Sequence, residues 1–299
     1  MLNDVPRGID IGEATHRLLL RADAYGRWPT PIDDIVAAAE LIEPRHSMLS
    51  DLVLEQAPAH LRRAIRKLRG KVRALLDRKE REIHIDPAAR TAGHIAYLKL
   101  HEVTHDICGW QKEPGYADDD GNLSPAVKKI FERQANAGAA ELLFQRSQFT
   151  AMARDYAIGM AAVLDLSQTV GASAHATMRR FAECHNAPAA AVVMEPSPCS
   201  ASPLGYRRCE VVASQAWQQR FGGACWPLVL HRQPYTFVTT ANQARASGAA
   251  VRSQFTLPDL NNQAVQLNAE VYCNYYKLLA LIWVPRGETL RRRRIIIPH

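Results

Sequence analysis

Apolar residues recur at helical spacing through the first quarter of the chain. Gly26, Pro29 and Pro44 interrupt this pattern, because each disfavours a continuing helix. The predicted helices cover Glu13 to Tyr25, Pro31 to Leu41 and Ala59 to Leu76. The alternation that follows in Glu82 to Asp86 predicts a short strand.

A second helical region begins at Ser124 and Pro125, which are suited to the N-cap and the first helical position. The apolar residues after them form one broad helical face. Its members are Val127, Ile130, Phe131, Ala135, Ala139, Leu142 and Leu143. A further helical stretch is predicted from Phe149 to Leu166.

The last third of the chain changes to segments rich in valine, tyrosine and threonine, which predict strands. These segments are Ala189 to Met194, Cys209 to Ala213, Pro227 to Leu230, Tyr235 to Thr240 and Glu270 to Tyr276. Thr169 to Phe181 predicts a turn followed by an amphipathic packing helix, a pattern that a helix-turn-helix also shows, and Ser214 to Phe221 predicts another helix. The fold class is therefore α+β. Residues 1–150 form a mainly helical domain with a small sheet, and residues 151–299 form a helical connector and a mixed α/β C-terminal domain.

Length and composition fit a protein of this kind. The chain has 299 residues, 47% of them hydrophobic and 22% charged, which is typical of a globular protein with room for two cores. No apolar run approaches the roughly 20 residues of a membrane helix, and the first residues lack the features of a signal peptide. The six cysteines form no Cys-x-x-Cys pair, which favours reduced thiols. These features predict a cytoplasmic protein.

The net charge of +7 raises the question of nucleic-acid binding. Basic residues concentrate between Arg62 and Arg73 and again between Arg291 and Arg294. In the first segment apolar residues are interleaved at helical spacing, as expected for a solvated amphipathic helix. No known DNA-reading motif accompanies these segments. Direct nucleic-acid binding is therefore the lesser alternative, and the basic face can equally meet an acidic protein.

The segment His101-Glu-Val-Thr-His105 carries the clearest chemistry, because it reads H-E-x-x-H on a helical stretch. Residues four apart project from one face of a helix, so both imidazoles can bind one zinc ion. Glu102 lies beside them and can act on an activated water without binding the metal. A catalytic zinc site uses three protein ligands, so a third is expected downstream.

Glu132 is the candidate for that third ligand, because it lies beside the apolar face of the second helical region. Asn136 is one turn further on and can hydrogen-bond the second nitrogen of a ligating histidine. The competing metzincin pattern requires glycine at 108 and histidine at 111, where this chain has Cys108 and Gln111. Cys108 is predicted to be a buried thiol rather than a ligand.

Taken together, these blocks resemble the ImmA/IrrE family of metallo-endopeptidases. The resemblance covers Thr91 to Gln145 and rests on H-E-x-x-H and on the later Glu132-Arg-Gln-Ala-Asn136-Ala-Gly-Ala-Ala-Glu-Leu-Leu segment. It implies a zincin-like domain in which His101, His105 and Glu132 bind Zn²⁺ and Glu102 is the general base. It also implies that the substrate is a helix-turn-helix repressor, often encoded beside the peptidase. Some members carry a GAF-like sensor domain in the position of the C-terminal half.

Two departures from the family pattern concern positions next to the site. Thr104 stands where the family often has glycine, and Phe144-Gln145 replaces the usual Met-Pro. Neither departure affects a proposed ligand, so they bear on the subfamily and its substrate.

The residue that stabilises the oxyanion is not chosen by the sequence. Tyr97, Tyr116, His84 and His94 are the candidates by type. Tyr97 is predicted to be a core residue and His84 a surface residue of the short strand, whose edge is a candidate binding site for an extended substrate.

Two further hypotheses compete with the peptidase. The protein can sequester a repressor without cutting it, or it can bind DNA through its basic face. An intact Glu102 favours the peptidase, because a purely structural zinc site needs no general base.

Overall fold

The computed structural model describes residues 10–50, 55, 73–89, 91–112, 125–196, 205–223, 226–274 and 277–285. The fold class is α+β, as predicted. The chain divides into two compact units: residues 1–149 with 167–173, and residues 150–166 with 174–299. The predicted domain boundary was placed after residue 150, whereas Ser167–Ser173 of the predicted connector belongs to the first unit.

The first unit combines helices with a two-stranded antiparallel sheet. Its elements are α1 (Ile11–Arg21), α2 (Ile32–Ala38), β1 (Ala74–Asp77), β2 (Glu82–Ile85), α3 (Ala92–Ile107), a 3₁₀ helix (Gly109–Lys112) and α4 (Pro125–Leu143). Helix α3 begins where the Thr91 hydroxyl accepts a hydrogen bond from the His94 backbone, and it ends at Cys108, whose ψ of 77° is not helical. The buried thiol predicted for Cys108 is confirmed.

Strand β1 corrects the prediction that a helix continues to Leu76. Residues 59–72 of that predicted helix lie outside the described residues, but Ala74 to Leu76 pair with β2 as a strand. The reason is the turn that follows, in which the Asp77 carboxylate accepts hydrogen bonds from the backbones of Lys79 and Glu80. This turn reverses the chain and brings Leu76 opposite Ile83. The predicted strand at Glu82 is confirmed.

Helices α3 and α4 approach each other closely at Gly138. A Cβ atom at this position would lie 2.3 Å from Cγ2 of Thr104, whose side chain is fully buried. The Thr104 hydroxyl also donates a hydrogen bond to the Leu100 carbonyl, which holds the side chain in place. Thr104 of α3 thus packs against Gly138 of α4, which has no side chain, and this contact sets the spacing between the two helices.

Gln145, one of the two departures from the family pattern, has a structural role. Its buried side-chain amide accepts a hydrogen bond from the Gly26 backbone at 2.7 Å and donates one to the Arg27 carbonyl at 2.8 Å. The same amide group lies 3.3 Å from the hydroxyl of Thr30, which itself donates to the Leu143 carbonyl. Gln145 therefore joins the loop between α1 and α2 to the end of α4.

Replacing Gln145 with leucine is expected to lower the free energy of unfolding by about 1–3 kcal/mol, because the part-buried hydrogen bonds to the backbones of Gly26 and Arg27 are lost. Urea denaturation measures the change. Gln148→Leu is the matched control, because Gln148 is exposed and its replacement should shift stability by less than about 0.5 kcal/mol. Equal effects of the two substitutions would contradict this role.

The second unit is built on a six-stranded sheet whose neighbouring strands are all antiparallel, in the order β5-β4-β3-β8-β7-β6. The strands are β3 (Ala189–Pro196), β4 (Tyr206–Ala213), β5 (Val229–Leu230), β6 (Val251–Pro258), β7 (Ala264–Cys273) and β8 (Leu278–Trp283). The helices are α5 (Ser147–Arg154) and α6 (Met160–Val170), which both span the division between the units, α7 (Ala174–Cys184), α8 (Gln215–Phe221), a 3₁₀ helix (Thr236–Thr240) and α9 (Ala241–Ser247).

The sheet is covered on both faces. Helix α7 packs against β3, β4 and β8. The other face carries an aromatic core in which Trp217 stacks on Phe221 and Trp226, with Phe237 and Phe255 beside them. Burial on both faces explains why β3 and β8 are almost wholly apolar.

Three predictions for this unit were wrong or incomplete. Tyr235 to Thr240 is not a strand: residues 236–240 form a 3₁₀ helix, in which the hydroxyls of Thr239 and Thr240 donate hydrogen bonds three residues back. The predicted helix from Phe149 to Leu166 is broken into α5 and α6. Glu270 explains the break, because its carboxylate accepts a hydrogen bond at 2.6 Å from the backbone of Met160 at the start of α6. Strands β6 and β8 were not predicted.

His84 was predicted to be a surface residue and is instead buried, with 2% of its surface exposed. Its Nδ1 accepts a hydrogen bond from the Met48 backbone, so a neutral ring carries its proton on Nε2, which lies 3.5 Å from the Glu82 carboxylate. Burial lowers the pKa of His84 below its usual value, although Glu82 and Asp77 act in the opposite direction.

This pKa shift predicts a loss of stability in mild acid. Above the unfolded-state pKa of about 6.5, His84 is neutral in both states and contributes nothing. Below it, the unfolded chain takes up a proton more readily than the folded chain, so the free energy of unfolding falls as the pH falls. Asparagine at this position keeps an acceptor for the Met48 backbone but does not titrate. Urea titrations between about pH 7.5 and 5 should therefore show a shallower loss for His84→Asn than for the unaltered protein. Parallel curves would contradict the assignment.

Candidate metal centre

His101 and His105 lie one turn apart on the same face of α3. Their ring centroids are 4.8 Å apart, and their Nε2 atoms approach to 3.2 Å. Both side chains are mostly buried, with 14% and 16% exposed. Two imidazole nitrogens therefore converge on one point at the edge of the helix.

Glu132 of α4 brings a carboxylate to the same point. Its Oε2 lies 3.4 Å from Nε2 of His101, and its Oε1 lies 3.8 Å from Nε2 of His105. The side chain is half exposed, so the group opens to solvent on this side. Within the described ranges, these three residues form a cluster whose candidate ligand atoms all lie within 4.8 Å of one another.

The spacing of the three donor atoms suits a small tetrahedral cation. With metal–ligand distances of about 2.0–2.2 Å, the edge of a tetrahedron is about 3.3–3.6 Å. The observed separations of 3.2, 3.4 and 3.8 Å lie close to this range. Two imidazoles and one carboxylate also match the donor set of catalytic zinc sites, which keep a fourth position open. The residues present therefore fit a zinc ion.

His105 has a partner on its other ring nitrogen that the sequence analysis did not identify. Nδ1 lies 2.7 Å from Oε1 of Gln111, in the 3₁₀ helix that follows α3. Gln111 occupies the position where a metzincin would carry its third histidine, and here it hydrogen-bonds the candidate ligand His105. The sequence does show an amide side chain six residues after His105. Its contact with His105 was missed because the turn that brings Gln111 back towards α3 was not predicted.

His101 is contacted from α4 by Asn136, as expected for the amide one turn after Glu132. The Asn136 oxygen also accepts a hydrogen bond from the Tyr97 hydroxyl at 2.6 Å. Burial and the adjacent His105 lower the pKa of His101 below its usual value. A lowered pKa favours the neutral imidazole, which is the form that binds a metal.

Glu102 is buried beside the histidines, with 8% of its surface exposed. Burial, together with the negative charge of Glu132, raises the pKa of Glu102 to about 7. The guanidinium of Arg78 and a hydrogen bond from the Leu76 backbone act in the opposite direction. A carboxyl group with a pKa near neutrality can both accept and release a proton at physiological pH.

Among the described candidates for oxyanion stabilisation, Tyr97 contacts a residue of the cluster. Its ring centroid is 6.3 Å from that of His101, and its side chain is only partly buried, so the core role predicted for it is incomplete. His84 is buried in the hairpin, and His94 is exposed in the first turn of α3. Tyr116 lies outside the described residues.

The comparisons with known proteins bear on the fold. No protein-family model matches the chain, and a search of curated proteins finds no match either. Among solved structures, the chain is similar to a Mycobacterium tuberculosis transcriptional regulator with 13% sequence identity and a TM-score of 0.52. The match covers 92% of this chain and 76% of that chain. The likeness shows the fold alone.

Other predicted features are only partly open to description. None of the helices within the described ranges combines the length and apolar character needed to cross a bilayer. Most of the basic segment from Arg62 to Arg73, and all of Arg291 to Arg294, lies outside the described residues. Arg73 itself is described and forms an ion pair at 2.8 Å with the buried carboxylate of Asp86.

Proposed function

We propose that this protein is a zinc-dependent endopeptidase of the ImmA/IrrE type, with a zincin-like first unit. The observation that carries the proposal is the convergence of His101, His105 and Glu132 beside a buried carboxyl group, Glu102. A site that served only to hold the fold together would not need that fourth group. When bound, zinc supplies a Lewis acid for the scissile carbonyl and an activated water.

Glu102 performs the proton transfers in this proposal. Its carboxylate takes a proton from the attacking water and delivers it to the departing amine. Burial and Glu132 raise the pKa of Glu102 to about 7 in the metal-free site, which places this carboxyl group in the range where it can both accept and release a proton. The hydrogen bond from the Leu76 backbone holds the carboxylate in place while it exchanges the proton.

The hairpin offers an edge for an extended substrate. The register of β1 and β2, with Asp86 N–H donating to Arg73, points the backbone groups of Ala74 and Leu76 away from β2. The Leu76 amide meets Glu102, so this edge adjoins the candidate site. The edge suggested by the sequence analysis, that of β2, is occupied in part by Ile42, whose carbonyl accepts from Ile83. We infer that a substrate pairs with β1 instead, through the backbone groups of Ala74 and the Leu76 carbonyl, because the Leu76 N–H is bonded to Glu102.

The proposed partner is a helix-turn-helix repressor, which follows from the family resemblance. The name of the similar Mycobacterium tuberculosis structure, a transcriptional regulator, is compatible with a role in transcription. The antiparallel sheet of the second unit, covered by helices on both faces, supports the GAF-like domain expected there and gives no indication of its ligand. Cytoplasmic action on such a repressor is part of the same proposal.

The direct test is cleavage of purified helix-turn-helix repressors encoded next to this protein. The zinc-loaded protein is incubated with each repressor, and the products are identified by mass spectrometry. Cleavage at a defined bond that a chelator stops and added zinc restores is the expected result. Absence of cleavage of any of them, with zinc bound, would contradict the peptidase.

Sequestration of a repressor is the second candidate, and the half-exposed Glu132 and the name of the similar structure are compatible with it. In that case a stable complex forms and the repressor stays intact. A third outcome, binding to DNA alone that weakens steeply with added salt, would support the basic-face alternative.

A further inference from the structure

In the chain of hydrogen bonds that runs from Trp110 to His105, each donor and each acceptor can be assigned in only one way. The indole of Trp110 packs in an apolar cluster with Cys108 and Phe131, and its Nε1 lies 3.1 Å from Oε1 of Gln134. An indole nitrogen can only donate. The oxygen of the Gln134 amide must therefore face Trp110.

The orientation of the Gln134 amide determines that of the Gln111 amide. The same Oε1 of Gln134 lies 3.1 Å from the side-chain nitrogen of Gln111, so Gln111 must present its amide nitrogen to Gln134. Its oxygen then faces His105, 2.7 Å from Nδ1. An amide oxygen can only accept, so the proton of a neutral His105 must lie on Nδ1.

We propose that Trp110, Gln134 and Gln111 form a hydrogen-bond relay that fixes His105 as the Nδ1–H tautomer. The role of this relay rests on the proposed function, because a fixed tautomer matters only if His105 binds a metal. With the proton on Nδ1, the lone pair of Nε2 points at His101 and Glu132, where the three donor atoms converge. The three relay residues are positioning residues, because they act through His105 and contact neither metal nor substrate.

Through His105, the relay links α3 to two other elements of the first unit. Gln134 belongs to α4, two residues after Glu132, while Trp110 and Gln111 belong to the 3₁₀ helix after α3. Gln111 is nearly buried, with 7% exposed, so solvent competes little for its amide. Gln111, which orients His105, is thus hydrogen-bonded to the helix that carries Glu132.

The tautomer can be read without any metal, from nitrogen-15 long-range correlation spectra of the metal-free protein at about pH 8, where imidazole is neutral. The signals of His105 are assigned by comparison with His105→Asn. The unaltered protein should show His105 with its proton on Nδ1. Gln111→Leu removes the acceptor and should give a mixture of the two tautomers.

Matched variants separate the relay from simple packing. Gln134→Glu keeps an acceptor for both Trp110 and Gln111, so the Nδ1–H tautomer should persist. Gln134→Leu keeps a similar volume without the acceptor, and Trp110→Phe keeps the ring without its donor. Both should allow the Gln111 amide to turn and the tautomers to mix. Urea denaturation of each variant checks that it is folded.

Zinc affinity, measured by competition with a chelator, gives a second readout. Gln111→Leu should weaken zinc binding about 10- to 100-fold, as loss of such supporting contacts typically does. An unchanged His105 tautomer in folded Gln111→Leu and Gln134→Leu would overturn the relay. Failure of the unaltered protein to bind zinc would overturn the proposed function, while the tautomer measurement would still decide the relay.

Discussion

Glu102→Gln should lower the rate of peptide hydrolysis about 100- to 10,000-fold, the usual contribution of a general base. The reason is that glutamine has nearly the same shape but cannot take up the proton. Its amide oxygen can still accept the hydrogen bond that the Leu76 backbone gives to Glu102. The fold and the bound zinc should therefore be retained. Rates are measured with a zinc-loaded sample and a repressor that the unaltered protein cuts.

Glu141→Gln is the control for this experiment. Glu141 lies on α4, where its carboxylate forms an ion pair with Arg146 at 3.6 Å, and it is not a member of the cluster of His101, His105 and Glu132. Its rate should stay near that of the unaltered protein. Hydrolysis by Glu102→Gln within threefold of that rate would show that another group carries the proton.

Gly138→Ala should destabilise the first unit and weaken zinc binding together. The added methyl group meets Cγ2 of Thr104 at 2.3 Å, and overpacking of this kind costs about 1–3 kcal/mol. Alanine is intrinsically better than glycine inside a helix, which offsets part of this cost. The strain is relieved by moving α4 away from α3, and Glu132 moves with α4. Urea denaturation and chelator competition measure the two effects.

A double substitution tests the cause. Thr104→Ala removes both atoms that lie within 3.0 Å of the new methyl group and keeps the Cβ atom, at 3.2 Å. The double variant, Thr104→Ala with Gly138→Ala, should therefore lose less stability and less zinc affinity than the losses of the two single variants added together. Gly109→Ala is the control, because a Cβ there meets nothing within 4 Å. Additive effects at Thr104 and Gly138 would contradict the contact.

The residues of the candidate site could be predicted from the sequence because their chemistry is local. The four-residue spacing of His101 and His105 is a property of one helix, and Glu132 followed from a second block of recognisable type. Gln111 could not be predicted in the same way, since its role depends on a turn that reverses the chain after Cys108. The raised pKa of Glu102 depends on burial under β1, which no local pattern encodes.

The same distinction applies to the fold. Helix α4 was predicted because its periodicity records which face is buried, and α3 was predicted from H-E-x-x-H on an apolar stretch. Ala74 to Leu76 was mistaken for the end of a helix, because a short apolar run suits either a helix or a strand, and the turn at Asp77 determines which one forms. Strand β8 has no alternation to detect, because neighbours cover both of its faces. His84 was misplaced for a related reason: a polar residue in a strand need not face solvent when the Met48 backbone supplies a partner.

The most direct test of the account is the zinc content of three purified proteins, measured by plasma mass spectrometry after zinc is supplied and excess removed. The unaltered protein and Glu102→Gln should each hold close to one zinc ion per chain. Glu132→Ala should hold much less zinc, because it keeps only two of the three proposed ligands, His101 and His105. Absence of zinc from all three, or equal zinc in all three, would contradict the proposed metal site.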